Sequence, residues 1–313
     1  QDLNLKKKIS IVTPTFNEEQ NIKLLCDKIK VEFSKLDYDY EHIVIDNNST
    51  DNTVPILRKI CMDDKNLKVI VNNKNYGHLK SPFYGLMQAS GDAVIIISSD
   101  LQDPIDIIPK VLQLWEKGHK VVLSQKTSSD ENFLIFNLRK FYYKLISKVS
   151  EIQLPENTTG SGLYDRKVLD TLKDIKDPIP YVRGLVAEIE GDIAFVKFNQ
   201  PKRSFGKSKN NFYTLIDLAF LGFVKHSKLP LRFMMLFGFF ISFVSLLVSV
   251  VFFMYKILFW NSFQLGIAPI VIGFFFISAI QMILIGLLGE YISITLAHVR
   301  NLPLVIEKER INF

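Results

Sequence analysis

Gly91-Asp-Ala-Val-Ile-Ile-Ile-Ser-Ser-Asp-Leu-Gln-Asp-Pro104 decides how the chain is read. Its centre, Ala93–Ile97, is a short aliphatic run, rich in β-branched residues, that ends abruptly in polar residues and a proline. A run of this length bounded by turn residues predicts a strand buried on both faces. The design recurs on either side. Ile9–Thr13, His42–Ile45, Leu67–Val71 and Lys120–Leu123 have strand character, while 17–36, 52–64, 79–90 and 105–117 have helical periodicity. Strands alternating with helices predict an α/β domain with a mostly parallel sheet and helices on both faces. Ligands of such sheets sit beyond the carboxyl ends of the strands.

Polar residues gather at those ends. The first strand runs into Thr13-Pro-Thr-Phe-Asn-Glu-Glu19, the second into Asp46-Asn-Asn-Ser-Thr-Asp-Asn-Thr53. Asn17, Ser49 and Asp51 are of the type that caps helices. Carboxylates at two neighbouring strand ends can also hold ribose hydroxyls or a base N–H. The fourth strand ends in Ser98-Ser-Asp-Leu-Gln-Asp-Pro104, where Asp100, Gln102 and Asp103 put several hard oxygens in one turn. That suits Mg2+ or Mn2+ sharing coordination with phosphates; a capping turn with Pro104 opening the next helix is the structural alternative.

The second half of the chain changes character. Phe233–Tyr255 and Leu265–Leu288 carry no charged residue, and each exceeds the ~20 residues that span a hydrocarbon core of ~30 Å. Lys225, Lys228 and Arg232 precede the first stretch and Arg300, Lys308 and Arg310 follow the second, whereas the connector holds Lys256. The positive-inside rule then puts both flanks in the cytoplasm. Trp260 suits an interface, and Gln281 in mid-span predicts a polar contact with another helix. Phe212–His226 is apolar over much of its surface yet retains charge, which predicts a helix lying along the membrane.

The net charge of +6 fits cytoplasmic cations near anionic lipid or phosphate, not nucleic-acid binding. Cys26 and Cys61 lack metal-type spacing and read as reduced core thiols. The five histidines form no zinc signature.

Several segments together resemble the family 2 glycosyltransferases of GT-A fold, nearest the dolichyl-phosphate mannose synthase and GtrB-like branch. They are TPTFNEEQNI (13–22), DNNSTDNT (46–53), NYGH (75–78), GDAVIIISSDLQDP (91–104), GSGLYDRKV (160–168), RSFGKSK (203–209), KLPLR (228–232) and GEY (289–291), in the family's order. The resemblance implies Pro14, Thr15, Glu18 and Asp46 as the nucleoside pocket, and Asp100 and Gln102 as metal ligands. It implies Arg203, Lys207, Ser208 and Lys209 as a basic loop over the phosphates. Arg139, on the helical segment 131–150 and outside the matched segments, is a second acceptor-phosphate candidate. Asp165 matches an acidic residue of the acceptor region and joins Asp100 and Arg203 as a catalytic candidate; it is expected to orient groups rather than remove a proton. Ser98 and Asn47 stand where the family pattern has aspartates, so the metal site is leaner than the pattern.

The implied activity is inverting transfer of a sugar from a nucleotide-sugar, a UDP-hexose by analogy, to polyprenyl (undecaprenyl) phosphate, with Mg2+ or Mn2+. The implied organisation is a cytoplasmic catalytic domain over 1–210, an interfacial region over 211–231, a two-helix transmembrane hairpin over 232–291 and a cytoplasmic tail over 292–313. Such a protein sits in the inner (plasma) membrane as a multi-pass protein with both termini cytoplasmic, and Gln281 favours a homo-oligomer, dimer or tetramer. Two rivals are weighed. A processive polysaccharide synthase carries a QxxRW motif, absent from this chain; a catalytically silent membrane scaffold is raised by Ser98 and Asn47.

Overall fold

The computed structural model describes residues 6–127, 158–201, 229–259 and 267–313. Arg139, Arg203, Lys207, Ser208 and Lys209, the interfacial segment up to 228 and Trp260 lie outside the described residues.

Two compact units emerge, one holding most of the chain up to 216 together with 301–313, the other mainly 217–300. The first is built on an eight-stranded sheet. In chain order its elements are β1 (Lys8–Thr15), α1 (Ile22–Phe33), β2 (Asp39–Asp46), α2 (Thr53–Asp63), β3 (Leu67–Asn72), α3 (Gly77–Gln88), β4 (Ala93–Ile96), a 3-10 turn (Ile105–Ile107) leading into α4 (Ile108–Glu116), β5 (Val121–Lys126), β6 (Thr158–Asp165), α5 (Arg166–Ile175), α6 (Val182–Ile189) and β7 (Ile193–Phe198). The last strand, β8 (Glu307–Ile311), comes after the second unit.

The strand order is β7-β5-β6-β4-β1-β2-β3-β8. β4, β1, β2 and β3 form a parallel centre, while β6 runs antiparallel to β4 and β5, and β8 antiparallel to β3. With β5 parallel to β7 as well, six of the eight strands run one way and only β6 and β8 are reversed, so the sheet is mostly parallel with two antiparallel insertions. Alternation along the central strands feeds two cores. Ile9, Ile11, Val44 and Val69 pack with Leu25, Ile29, Leu57 and Trp115 on one face. Val12, Ile43, Ile45 and Ile70 pack with Phe83, Leu86, Leu169 and Leu172 on the other. Helices cover both faces because every central strand is apolar on both sides.

Two departures from the sequence reading have clear causes. The first helix begins at Ile22, not 17, because Asn17 adopts a φ of 53° and residues 17–19 are bonded sideways to another loop. β8 (Glu-Lys-Glu-Arg-Ile) has no apolar run, since it is an edge strand whose side chains are half exposed. Residues 307–311 thus belong to the sheet and not to a separate tail. They are tied there by Arg58 to Glu309, by the Tyr84 hydroxyl donating to Glu307 at 2.8 Å, and by Asn312 Nδ2 donating to three carbonyls of residues 61–67.

In the second unit α7 (Leu229–Leu258) and α8 (Ile267–Arg300) are long helices. Phe233, Phe239, Phe240 and Phe243 on one, and Phe274, Phe276, Met282 and Ile283 on the other, are each more than 60% exposed. A helix apolar all round has no wet face. Among the described residues, Phe276–Arg300, with mean hydropathy 1.7, is the stretch long and apolar enough to cross a membrane by length and composition. Gln281 lies on the exposed surface of α8.

Candidate active site

β1 and β2 are paired in register up to Thr15 and Asp46, and Asn47 N–H donates to the Thr15 carbonyl at 2.8 Å. The residues at which the two strands end are therefore side by side. Beyond them the two loops are laced together. Asn17 N–H donates to Ser49 Oγ at 2.8 Å, Glu18 N–H to Thr53 Oγ1 at 2.9 Å and Glu19 N–H to Asp51 at 3.2 Å. In the reverse direction Thr50 N–H donates to Asn17 Oδ1 at 2.8 Å and Asn52 N–H to Glu19 at 3.0 Å. These five backbone donors each find an acceptor on the opposite loop, which fixes both backbones. Asn17 and Asn48 take left-handed φ values of 53° and 65° within this lacing, a conformation asparagine tolerates better than most residues.

Pro14 and Glu18 are partly exposed at this edge, while Thr15 is buried. Glu18 accepts from Asn21 Nδ2 at 2.7 Å. Asp46 is fully buried. Burial pushes its pKa above the ordinary carboxylate value, and the Ser49 hydroxyl and N–H, both donating to it, pull the other way.

Asn47 links this edge to the next loop. Its Oδ1 accepts from Tyr76 N–H at 2.9 Å and Asn72 Nδ2 at 3.1 Å, and its Nδ2 donates to Asn75 Oδ1 at 2.8 Å and the Gly77 carbonyl at 3.2 Å. The backbone donor at 76 and the backbone acceptor at 77 leave one orientation for the amide. An aspartate would present a second acceptor to the Gly77 carbonyl, so the departure from the family pattern at 47 is a fitted one.

On the other side of β1, β4 is paired up to Ile96 with Val12. The acidic turn that follows is tight. Leu101 has φ 60°, Gln102 N–H donates to Asp100 Oδ1 at 3.1 Å, and Asp103, 3% exposed, accepts from Ser98 N–H at 3.0 Å and Ser161 Oγ at 2.6 Å. Pro14, Thr15, Glu18, Asp46, Asp100 and Gln102 thus share the carboxyl edge of β4-β1-β2, as the sequence predicts. Among the described residues no group of three or more His, Cys, Asp or Glu side chains could hold a metal ion. Asp100 and Gln102, partly exposed, offer hard oxygens for a divalent ion that takes its remaining ligands from phosphate and water, so this donor set fits a shared ion and not a closed protein cage.

Asp165 is not brought to this edge. It pairs with Ala93, the first residue of β4, in antiparallel register, so about 10 Å of strand separates it from Ile96. Its Oδ1 caps α5 by accepting from Lys167 N–H at 2.9 Å, and its Oδ2 accepts from the Trp115 indole at 2.7 Å. The neighbouring Arg166 donates to the carbonyls of Ala89 and Gly91. Asp165-Arg166 forms a latch at the amino edge, so the structure does not bring Asp165 together with Asp100 and Gln102. The sequence reading passed over Asp103 as a ligand to other strands and over Ser161 and Asn47 as connecting groups. Their signal lay in buried polar positions flanked by glycine, asparagine or proline, which a sequence alone does not separate from turns.

Residues 10–173 match the sequence model described as Glycosyl transferase family 2. The chain is 32% identical over 304 residues to the SfII prophage-derived bactoprenol glucosyl transferase of Shigella flexneri, covering 96% of this chain and 98% of that protein. It is 31% identical to the prophage bactoprenol glucosyl transferase homolog of Escherichia coli K12, with coverage of 96% and 98%. Among solved structures, glucosyl-3-phosphoglycerate synthase from Mycobacterium tuberculosis, in complex with Mn2+, uridine diphosphate and phosphoglyceric acid, superposes with a TM-score of 0.51 at 20% identity, over 70% of this chain and 76% of that one.

Proposed function

The chain belongs to glycosyl transferase family 2, and on that premise we propose that it moves a hexose from a nucleoside-diphosphate sugar to undecaprenyl phosphate with inversion at the anomeric carbon. The observation that carries the reading is end-to-end similarity to bactoprenol glucosyl transferases, helix pair included. Their name favours glucose as the sugar, and UDP is the nucleotide in the structural relative's complex.

In this reading Pro14, Thr15, Glu18 and Asp46 bind the nucleoside. The laced loops hold these groups before the donor arrives, so little ordering remains to oppose binding. Asp100 and Gln102 hold Mg2+ or Mn2+, which when bound neutralises charge on the diphosphate. Arg203, Lys207, Ser208 and Lys209, with Arg139, supply the cationic contacts to donor and acceptor phosphates; arginine offers a fork and lysine a mobile point charge. The acceptor is a phosphate monoester, already anionic at neutral pH. It needs no general base, which agrees with the absence of Asp165 from the edge. Positioning and charge neutralisation carry the rate.

We further propose that α7 and α8 are two spans of a hairpin in the inner membrane, with 1–210 as the cytoplasmic catalytic domain, 211–231 at the interface and both termini cytoplasmic. β7 precedes the helix pair and β8 follows it, yet both belong to one sheet. A path that leaves and rejoins one sheet crosses a membrane an even number of times, which supports two spans over one. Gln281 on the lipid-facing surface of such a hairpin favours a homo-oligomer.

The test is a donor screen with the purified full-length chain, undecaprenyl phosphate and Mg2+ or Mn2+. Transfer from at least one UDP- or GDP-hexose is expected; transfer from none of them overturns the proposal in favour of a silent scaffold.

A further inference from the structure

We infer that Asp103 is the positioning residue that sets Asp100 and Gln102 for the diphosphate and its divalent ion, an inference that rests on the functional reading above. A helix cap is the ordinary role for an aspartate before a proline and a helical turn, but the turn from Ile105 has no side-chain cap. The bonds of Asp103 run elsewhere. One oxygen, Oδ2, reaches back to Ser98 N–H at 3.0 Å and across to Ser161 Oγ at 2.6 Å. The first bond closes a ring whose enclosed residues include Asp100 and Gln102; the second ties that ring to β6.

The ring is under tension that something must hold. Leu101, between the two ligands, has φ 60°, a region leucine occupies only where its surroundings impose it. Asp103 is the buried group that closes the loop around it. Its anchor is rigid in turn. Ser161 is 3% exposed and precedes Gly162, whose φ of 150° and close approach to the Val122 carbonyl, 2.3 Å from where a Cβ would stand, leave no room for a side chain. Ser161 is therefore held by the pairing of β6 with β4 and β5, and the acidic turn inherits that rigidity through Asp103. Among the described residues no cation pairs with Asp103. Both of its partners are neutral donors, so its carboxylate also adds negative potential beside the ligands it positions. Groups one step behind metal ligands typically affect metal affinity by about 10–100-fold.

The experiment is calorimetric titration of UDP into the full-length chain, with and without Mn2+, for the wild type, Asp103→Ala, Asp103→Asn and Ser161→Ala, with thermal melting of each. Asp103→Ala is expected to lose about 10-fold or more of the Mn2+-dependent affinity while metal-free UDP binding changes little. Asp103→Asn, which can still accept both bonds, is expected to recover most of the loss, and Ser161→Ala to fall between. A folded Asp103→Ala variant with the wild-type Mn2+ dependence overturns the inference. If that variant does not fold, Ser161→Ala decides: an unchanged Mn2+ dependence overturns it and a weakened one supports it. A wild-type chain that transfers sugar while Asp103→Ala binds normally sinks this inference alone. A wild-type chain with neither Mn2+-dependent UDP binding nor transfer sinks the functional reading beneath it.

Discussion

Strand β2 carries a buried carboxylate at each end, and the two are treated in opposite ways. Glu41, near the amino end, is 2% exposed and bonded to Lys68 at 2.8 Å, Lys8 at 3.1 Å, Ser10 at 2.7 Å and the N–H and hydroxyl of Ser90. Burial alone would raise its pKa, but Lys68 and the serines outweigh it and hold the carboxyl down to about 2. Asp46, at the carboxyl end, is fully buried and bonded to the neutral donors of Ser49, and its pKa goes up. One charge is compensated inside the fold. The other is buried against neutral donors alone, and in the proposed reading it meets the nucleoside. Cations beside a buried carboxylate favour its charged form, whereas burial against neutral donors alone disfavours it.

The comparison can be broken from either end. The largest effect is expected at the carboxyl edge: Asp100→Ala should lower sugar transfer by about 100-fold or more with little change in melting temperature, read by a radiolabelled lipid-transfer assay beside a thermal melt. Glu41→Ala should do the reverse. It strands Lys68 and Lys8 beside a buried site and should cost about 2 kcal/mol of stability, with transfer at neutral pH retained in the protein that remains folded. The sign of its pH dependence follows from the depressed pKa. The stabilisation by Glu41 is complete above its ordinary value of 4.5 and is lost as the pH falls towards about 2, so Glu41→Gln should flatten acid unfolding in that window.

Asn47→Asp sharpens the contrast from within the site. Although it restores the family pattern, it sets an acceptor against the Gly77 carbonyl. A loss of about 1 kcal/mol, roughly fivefold, is expected in donor KM with a smaller change in kcat; an improved KM would show that the Asn47 bonds do not position the donor. The smallest effect belongs to Asp165→Asn. Asparagine caps helices as well as aspartate does, so transfer should stay within about twofold while stability falls by about 1 kcal/mol for the weakened indole bond. A collapse of kcat in a stable variant would return Asp165 to the reaction.

Much of this is legible in the sequence. Ala93–Ile96 and its counterparts are strands because an aliphatic β-branched run between turn residues has few other stable uses. The carboxyl-edge residues from Pro14 to Gln102 lie together because parallel neighbours bring their ends to one edge. β6 was not legible. Gly160 and Gly162 depress strand propensity; the left-handed φ of 84° at the first and the Val122 carbonyl against the second explain why they are there. β8 was hidden by its charges, which an edge strand accommodates and a central one does not.

The sequence by itself determined an α/β sheet with polar, acidic strand ends and two long uncharged stretches, since these depend on local periodicity and composition. Only the tertiary structure decided which acidic strand end lies at the carboxyl edge. Asp165 terminates β6 just as Asp46 terminates β2, and along the chain the two look alike. β6 runs antiparallel to β4, so its final residue lands at the amino edge while Asp46 lands at the carboxyl edge. Strand direction is set by long-range pairing, which no local reading of residues contains.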